Sequence, residues 1–199
     1  MRFVVRAGGD PRRIGVFPGS FHPITNAHLA LAEAALDHVD EVLFVMPEQF
    51  PHKQYEQVSL EKRLDMVRKA TAASGFSLAV SSGGLFGEIA EECCLAYGEN
   101  RELWFLCGRD AAERILTWDY GDAGFKERML DRFGLLVAPR RGALETQGKW
   151  TSRIRQLSLR QPWDELSASE VRRRVLEGEE WKPLVPEAIW DEVARLYGR

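Results

Sequence analysis

From Arg13 onward, short apolar runs rich in β-branched and aromatic residues alternate with longer stretches of helical period, and that alternation admits few folds. The runs lie at Arg13 to Phe17, Glu41 to Met46, Phe76 to Ser81, Leu103 to Cys107, Gly134 to Ala138 and Ser158 to Pro162. Helical period fills Asn26 to His38, Ser59 to Ala73, Gly87 to Tyr97, Asp110 to Leu116, Phe125 to Phe133, Ser167 to Gly178 and Pro186 to Leu196. Parallel strands need crossover connections, so the pattern predicts an α/β chain with a doubly wound parallel sheet and helices on both faces. In such a sheet ligands bind beyond the carboxyl ends of the strands, and the loops after Phe17, Met46, Cys107 and Ala138 are expected to face one common site.

With 199 residues, 45% of them hydrophobic, the chain suffices for one substantial core. Residues 1–199 are expected to form one domain, its C-terminal helical part beginning near residue 163. Arg140 to Gly148 reads as a mobile loop, and Met1 to Asp10 carries no pattern. A formal net charge of −3 argues against a chain whose main task is neutralising a nucleic-acid backbone, so the phosphates it binds should be few and local. No apolar run approaches the roughly 18 residues needed to span a bilayer, and Met1 to Asp10 lacks a secretory apolar stretch. A cytoplasmic chain without membrane or nucleic-acid partners is expected. Cys93 and Cys94 are adjacent and Cys107 ends an apolar run, which matches neither a disulfide framework nor a zinc spacing. Buried reduced thiols are expected instead.

The first apolar run leads straight into Pro18-Gly19-Ser20-Phe21-His22-Pro23-Ile24-Thr25-Asn26-Ala27-His28, followed by an alanine-rich helical stretch. Gly19 permits close backbone approach, and a helix starting near Thr25 would aim free N–H groups and its positive dipole end into the turn, where a phosphate fits. Thr25 and His28 are three apart, so a hydroxyl and an imidazole share one side of the first helical turn. Thr25 is either an anion ligand or a plain N-cap, and His28 either a donor to a charged oxygen or a surface residue.

This turn resembles the signature of the nucleotidyltransferase superfamily that includes nicotinate mononucleotide adenylyltransferase and pantetheine-phosphate adenylyltransferase. Two positions depart from the family pattern: Ala27 stands where glycine is usual, and His22 where asparagine or aspartate is common. A helical backbone at Ala27 would accommodate the alanine, and His22 is expected to make a local hydrogen bond. The resemblance implies a Rossmann-like fold and an ATP site that includes Gly19, Ser20, Phe21, Thr25 and His28.

Further segments extend the likeness across most of the chain. Phe50-Pro51-His52-Lys53 resembles a loop of nicotinate mononucleotide adenylyltransferases, which makes Lys53 a catalytic candidate beside a shifting phosphate. Gly108-Arg109-Asp110 and Trp118-Asp119-Tyr120 resemble that family's acceptor-binding turn and tryptophan loop. Gly108 would let the backbone approach ligand, Asp110 would accept ribose hydroxyls or cap a helix, Arg109, where the family often has a small residue, would meet an acceptor phosphate or mark a different acceptor, and Trp118 offers a stacking face. Ser167-Ala168-Ser169-Glu170-Val171-Arg172 resembles the second signature. Ser167 and Glu170 form a capping box on paper, the N–H groups of Ala168 and Ser169 suit β- and γ-phosphates, and Arg172 is placed to clamp the same oxygens. Arg173 and Arg174 should face solvent. Leu135 to Gly142 and Leu184 to Ile189 are also similar to nicotinate mononucleotide adenylyltransferases.

The resemblance implies transfer of the adenylyl group of ATP to a small mononucleotide, catalysed by His28, Lys53 and Arg172, with Mg2+ entering on the triphosphate rather than on a protein metal site. Nicotinate mononucleotide is the expected acceptor and phosphopantetheine the alternative; a noncatalytic nucleotide sensor is the alternative of another class. Hydride transfer fits poorly, because the first turn lacks a G-x-G-x-x-G loop. A homo-oligomer is compatible with all of these readings.

Overall fold

The computed structural model describes residues 1–48, 58–117, 124–138, 152–159 and 166–198, without the side chains of residues 125 and 126. The described chain runs β1 (Arg2–Val5), β2 (Arg13–Pro18), α1 (Asn26–Ala35), β3 (Glu41–Pro47), α2 (Leu60–Ala70), β4 (Ser77–Ser81), α3 (Phe86–Tyr97) and β5 (Glu102–Gly108). It continues through α4 (Arg109–Thr117), α5 (Phe125–Arg132), β6 (Phe133–Ala138), β7 (Ile154–Gln156), α6 (Ala168–Glu177), two 3-10 turns (Lys182–Leu184 and Glu187–Ile189) and α7 (Trp190–Tyr197).

Seven strands form one sheet in the order β1-β4-β3-β2-β5-β6-β7. All neighbours pair in parallel except β1, which runs antiparallel to β4. The order reverses between β2 and β5, which places the topological switch, and hence the ligand crevice, beyond Pro18 and Gly108. Alternation along the strands sends side chains to two separate cores. Phe17, Phe44, Met46, Leu78, Val80, Trp104 and Leu106 face α1, α2, α6 and α7, contributing to a cluster with Ala32, Val67, Val171, Ile189 and Val193. On the other face, Ile14, Val16, Leu43, Val45, Phe105, Leu135 and Val137 pack against Ile89 and Cys93 of α3, Ala112 of α4 and Leu130 of α5. The doubly wound arrangement expected from the sequence is therefore present.

Several boundaries differ from the sequence reading. Residues 1–10 contain β1, an edge strand of four half-exposed or exposed residues, too short to stand out as a buried run. The last strand is Ile154–Gln156 rather than Ser158 to Pro162: 158 and 159 are not in a strand, and 160–162 lie outside the described residues. Only Ile154 of that strand is buried, and Arg155 lies over the Trp104 ring at 4.2 Å, so polar composition hides this edge as well. Helix α1 stops at Ala35, where Leu36 N–H turns back to Glu33 O, three residues short of His38. The final helix begins as a 3-10 turn at Glu187–Ile189. The expected mobile loop Arg140 to Gly148 lies outside the described residues. Cys93 and Cys107 are buried free thiols and Cys94 is half-buried; burial pushes the first two up to about 12, so they remain protonated at neutral pH.

Candidate functional site

The corner beyond β2 is assembled from one loop and three helices. Gly19 N–H donates to Val45 O at 3.0 Å, which ties the start of the loop to β3. Phe21 follows at φ +42°, a left-handed conformation that costs a side-chain-bearing residue about 1–2 kcal/mol. Its ring is 2% exposed and packs edge-on to Phe17 at 5.4 Å. A Cβ built on Gly19 would stand 2.7 Å from that ring, so the glycine is required by packing beneath Phe21. Of the residues expected around ATP, Phe21 thus has its side chain in the core, and only its backbone is available to a ligand. The His22–Pro23 peptide bond is cis.

Thr25 is the N-cap of α1, with extended backbone torsions, and His28 is the third residue of the helix. Thr25 N–H donates to His28 Nδ1 at 3.0 Å, and Thr25 Oγ1 lies 2.9 Å from the same nitrogen. Because Nδ1 accepts a peptide N–H, the ring proton of neutral His28 belongs on Nε2, which becomes a donor. Phe21 and Phe17 pack beside the half-buried imidazole at 5.3 and 5.9 Å. No acidic residue stands in the first turn of α1, so its positive end is uncompensated there. Ala27 lies inside α1, in a helical backbone that asks for no glycine.

Helix α6 brings the second segment to the same loop. Ser167 is its N-cap and accepts from Glu170 N–H at 3.1 Å. The Glu170 carboxylate turns to Arg173 and Arg174, and these bonds hold it well below its ordinary range, at about 2. Arg173, expected to be simply solvated, is exposed but pairs with Glu170, Glu177 and Glu179. Arg172 points the other way: Nη1 donates to His22 O at 2.5 Å and Nη2 to Ser169 Oγ at 3.1 Å. The expected ATP residues on the loop and on α6 are thereby brought together.

Sequence reasoning missed Arg63. This arginine of α2 is only 5% exposed, and its Nη1 donates to Ser20 O at 2.8 Å. An arginine on a helix ordinarily reads as solvated; the available signal was its place between Leu60 and Val67, on the apolar stripe. The imidazole of His22 feels both guanidiniums. Burial, followed by the charges of Arg172 and Arg63, pushes its imidazole from 6.5 down to about 4. The ring stacks edge-on to Tyr197 of α7 at 5.1 Å. Asn26 Nδ2 donates to Pro183 O at 2.9 Å, so the C-terminal segment also braces the start of α1.

Across the switch point, Gly108 ends β5 and pairs with Ala138 of β6; a Cβ built there would meet nothing within 4 Å. Arg109 and Asp110 open α4 directly. Asp110 is exposed in the first turn, inside the helix rather than capping it, and Arg109 Nε donates to Glu113 at 2.6 Å. Lys53 and Trp118 lie outside the described residues, as do Phe50, Pro51 and His52. Among the described residues no cluster of three His, Cys, Asp or Glu side chains converges as a metal cradle, and no helix is long and apolar enough to cross a membrane. The corner is a set of N–H and guanidinium donors, suited to an anion.

The cytidylyltransferase-like family model matches residues 16–174. The chain is 30% identical over 193 residues to the probable nicotinate-nucleotide adenylyltransferase of Thermoanaerobacter sp., covering 89% of each chain. It is also 30% identical over 215 residues to the protein so named in Moorella thermoacetica, covering 94% of this chain and 91% of that one. Among solved structures it resembles Plasmodium falciparum nicotinic acid mononucleotide adenylyltransferase complexed with NaAD, with a TM-score of 0.69 at 17% identity over 92% of this chain and 95% of the other, which is a likeness of fold.

Proposed function

The chain belongs to the cytidylyltransferase-like family, and from that premise we propose that it transfers the adenylyl group of ATP to nicotinate mononucleotide, forming nicotinate adenine dinucleotide and releasing pyrophosphate. The observation that carries the reading is the His28 ring, held by Thr25 N–H on the first turn of α1, just after the loop whose His22 carbonyl Arg172 of α6 grips.

In the reaction, a phosphate oxygen of the acceptor attacks the α-phosphorus of ATP in line. The new P–O bond forms as the bond to the bridging β-oxygen breaks, and pyrophosphate leaves with the electron pair. No covalent enzyme intermediate is needed, so the protein contributes position and charge stabilisation. His28 Nε2–H is the donor to the α-phosphate oxygen that gains charge, while the N-termini of α1 and α6 supply aligned peptide N–H groups. Thr25, fully buried, fixes the His28 ring, and the Ser20 and Phe21 backbone N–H groups complete the triphosphate cradle. Ser169 and Arg172 hold the departing pyrophosphate; the bonds to His22 O and Ser169 Oγ occupy two of the guanidinium's five N–H donors. Lys53 assists at the α-phosphate. Gly108, Arg109, Asp110 and Trp118 form the acceptor side, with the Arg109 guanidinium exchanging Glu113 for a phosphate when the acceptor arrives.

The described corner presents donors rather than carboxylate oxygens, so it fits Mg2+ only as an ion carried by the triphosphate and water, where it would neutralise phosphate charge. The site of action is the cytoplasm, and the ligands are small nucleotides, not nucleic acid. Pyrophosphate release from ATP with Mg2+ is to be measured with nicotinate mononucleotide, nicotinamide mononucleotide and phosphopantetheine supplied separately. Release with the first establishes the reaction. Release only with another acceptor transfers the same chemistry to that substrate, and ATP binding without release from any of the three would replace the enzyme by a nucleotide sensor.

A further inference from the structure

Two guanidiniums from different helices hold adjacent stretches of one strained loop. Arg63 of α2 binds Ser20 O and Arg172 of α6 binds His22 O, the carbonyls on either side of Phe21 at its positive φ. Both charges also act on His22 and on Tyr197, whose hydroxyl they favour ionising against the stronger effect of burial. Both charges bear on one buried imidazole, and an anion in front of the loop would be attracted by the pair. The same loop feeds the N-terminus of α1, and Arg172 stands on the first turns of α6, so the two guanidiniums share a corner where helix ends favour phosphate.

We propose that Arg63 is a positioning residue for the outer phosphates of ATP: through Ser20 O it sets the phosphate-facing backbone of loop 19–25, opposite the grip of Arg172 on His22 O. Arg63 does not touch the reacting atoms; it acts through the loop and through its buried charge. The proposal rests on the nucleotide reading above and deepens it, because it predicts discrimination between ATP and AMP.

The test compares full-length wild type with Arg63→Met and Arg63→Lys, titrated calorimetrically with ATP and with AMP, alongside thermal melting. In Arg63→Met, ATP binding should weaken about tenfold while AMP binding changes less than about twofold, because the lost charge and loop setting serve the outer phosphates. Equal weakening for both nucleotides, or a lower melting temperature with unchanged affinities, would mean that Arg63 only supports the fold and would overturn the proposal. If Arg63→Met does not fold, Arg63→Lys decides: it keeps the charge with a poorer fork, so ATP should weaken about threefold with AMP unaffected, and equal effects overturn the idea. The two readings fail separately. Wild type that binds ATP yet releases no pyrophosphate with any acceptor refutes the transfer reaction while the nucleotide comparison still judges Arg63; wild type that binds no ATP refutes both.

Discussion

His28 illustrates what a short spacing reveals and what it hides. The three-residue interval from Thr25 was enough to put both side chains on one helical turn, but not to say that the peptide N–H of Thr25, rather than its hydroxyl alone, selects the Nε2–H tautomer. With that donor removed, His28→Ala should lower kcat about 100- to 1000-fold while the Kd for ATP changes only slightly, as is usual for a preorganised donor to developing charge. A wild-type kcat in single-turnover assays would remove His28 from the mechanism. At Gly19 the expectation concerned ligand approach, whereas the structure adds a packing reason. Gly19→Ala forces its Cβ against the Phe21 ring and should cost about 1–3 kcal/mol in denaturant unfolding. His22 sets a pH dependence. Its folded value of about 4 lies below its ordinary 6.5, so the unfolded chain binds more protons between those limits. Stability from this residue is complete above about pH 6.5 and is lost as pH falls toward 4, by up to about 3 kcal/mol, and His22→Asn should remove that part of the slope.

Among the elements, the five interior strands β2 to β6 were legible because both their faces are buried and their sequences are nearly continuous apolar runs. The two edges were not: β1 is a four-residue strand with no buried residue and β7 a three-residue strand with one, both too short to read as buried runs. Arg63 escaped for a related reason: its role depends on a loop 43 positions away, which helical periodicity does not report. Helix α6 was readable from its cap, and the cap gives a sharp expectation. Ser167→Ala removes the bond from Glu170 N–H and should cost about 1 kcal/mol of stability, while also weakening ATP binding through the frayed first turn. Equilibrium unfolding and an ATP titration of the same variant separate the two effects; a stability loss with wild-type affinity would detach the α6 terminus from the phosphates.

Over the whole molecule, the C-terminal segment shares the core of the sheet: Val185, Ile189, Val193 and Tyr197 are buried in the cluster that holds Phe17 and Phe44. Lys69 of α2 pairs with Glu192 of α7, adding a link between those layers. Calorimetry should therefore show one cooperative transition, and an earlier separate transition reported by Trp190 would mark the last helix as an independent unit. The sheet divides the molecule in another way. The helices that grip loop 19–25, the proposed ATP side, rest on one core, while α4, which carries the acceptor candidates Arg109 and Asp110, rests on the other. A lineage could accumulate substitutions on the α3–α5 side, reshaping what is adenylylated, while the seven strands shield the proposed triphosphate corner from the consequences. Inherited drift would then alter the acceptor sooner than the donor, and a single ancestral ATP site could serve descendants with quite different second substrates.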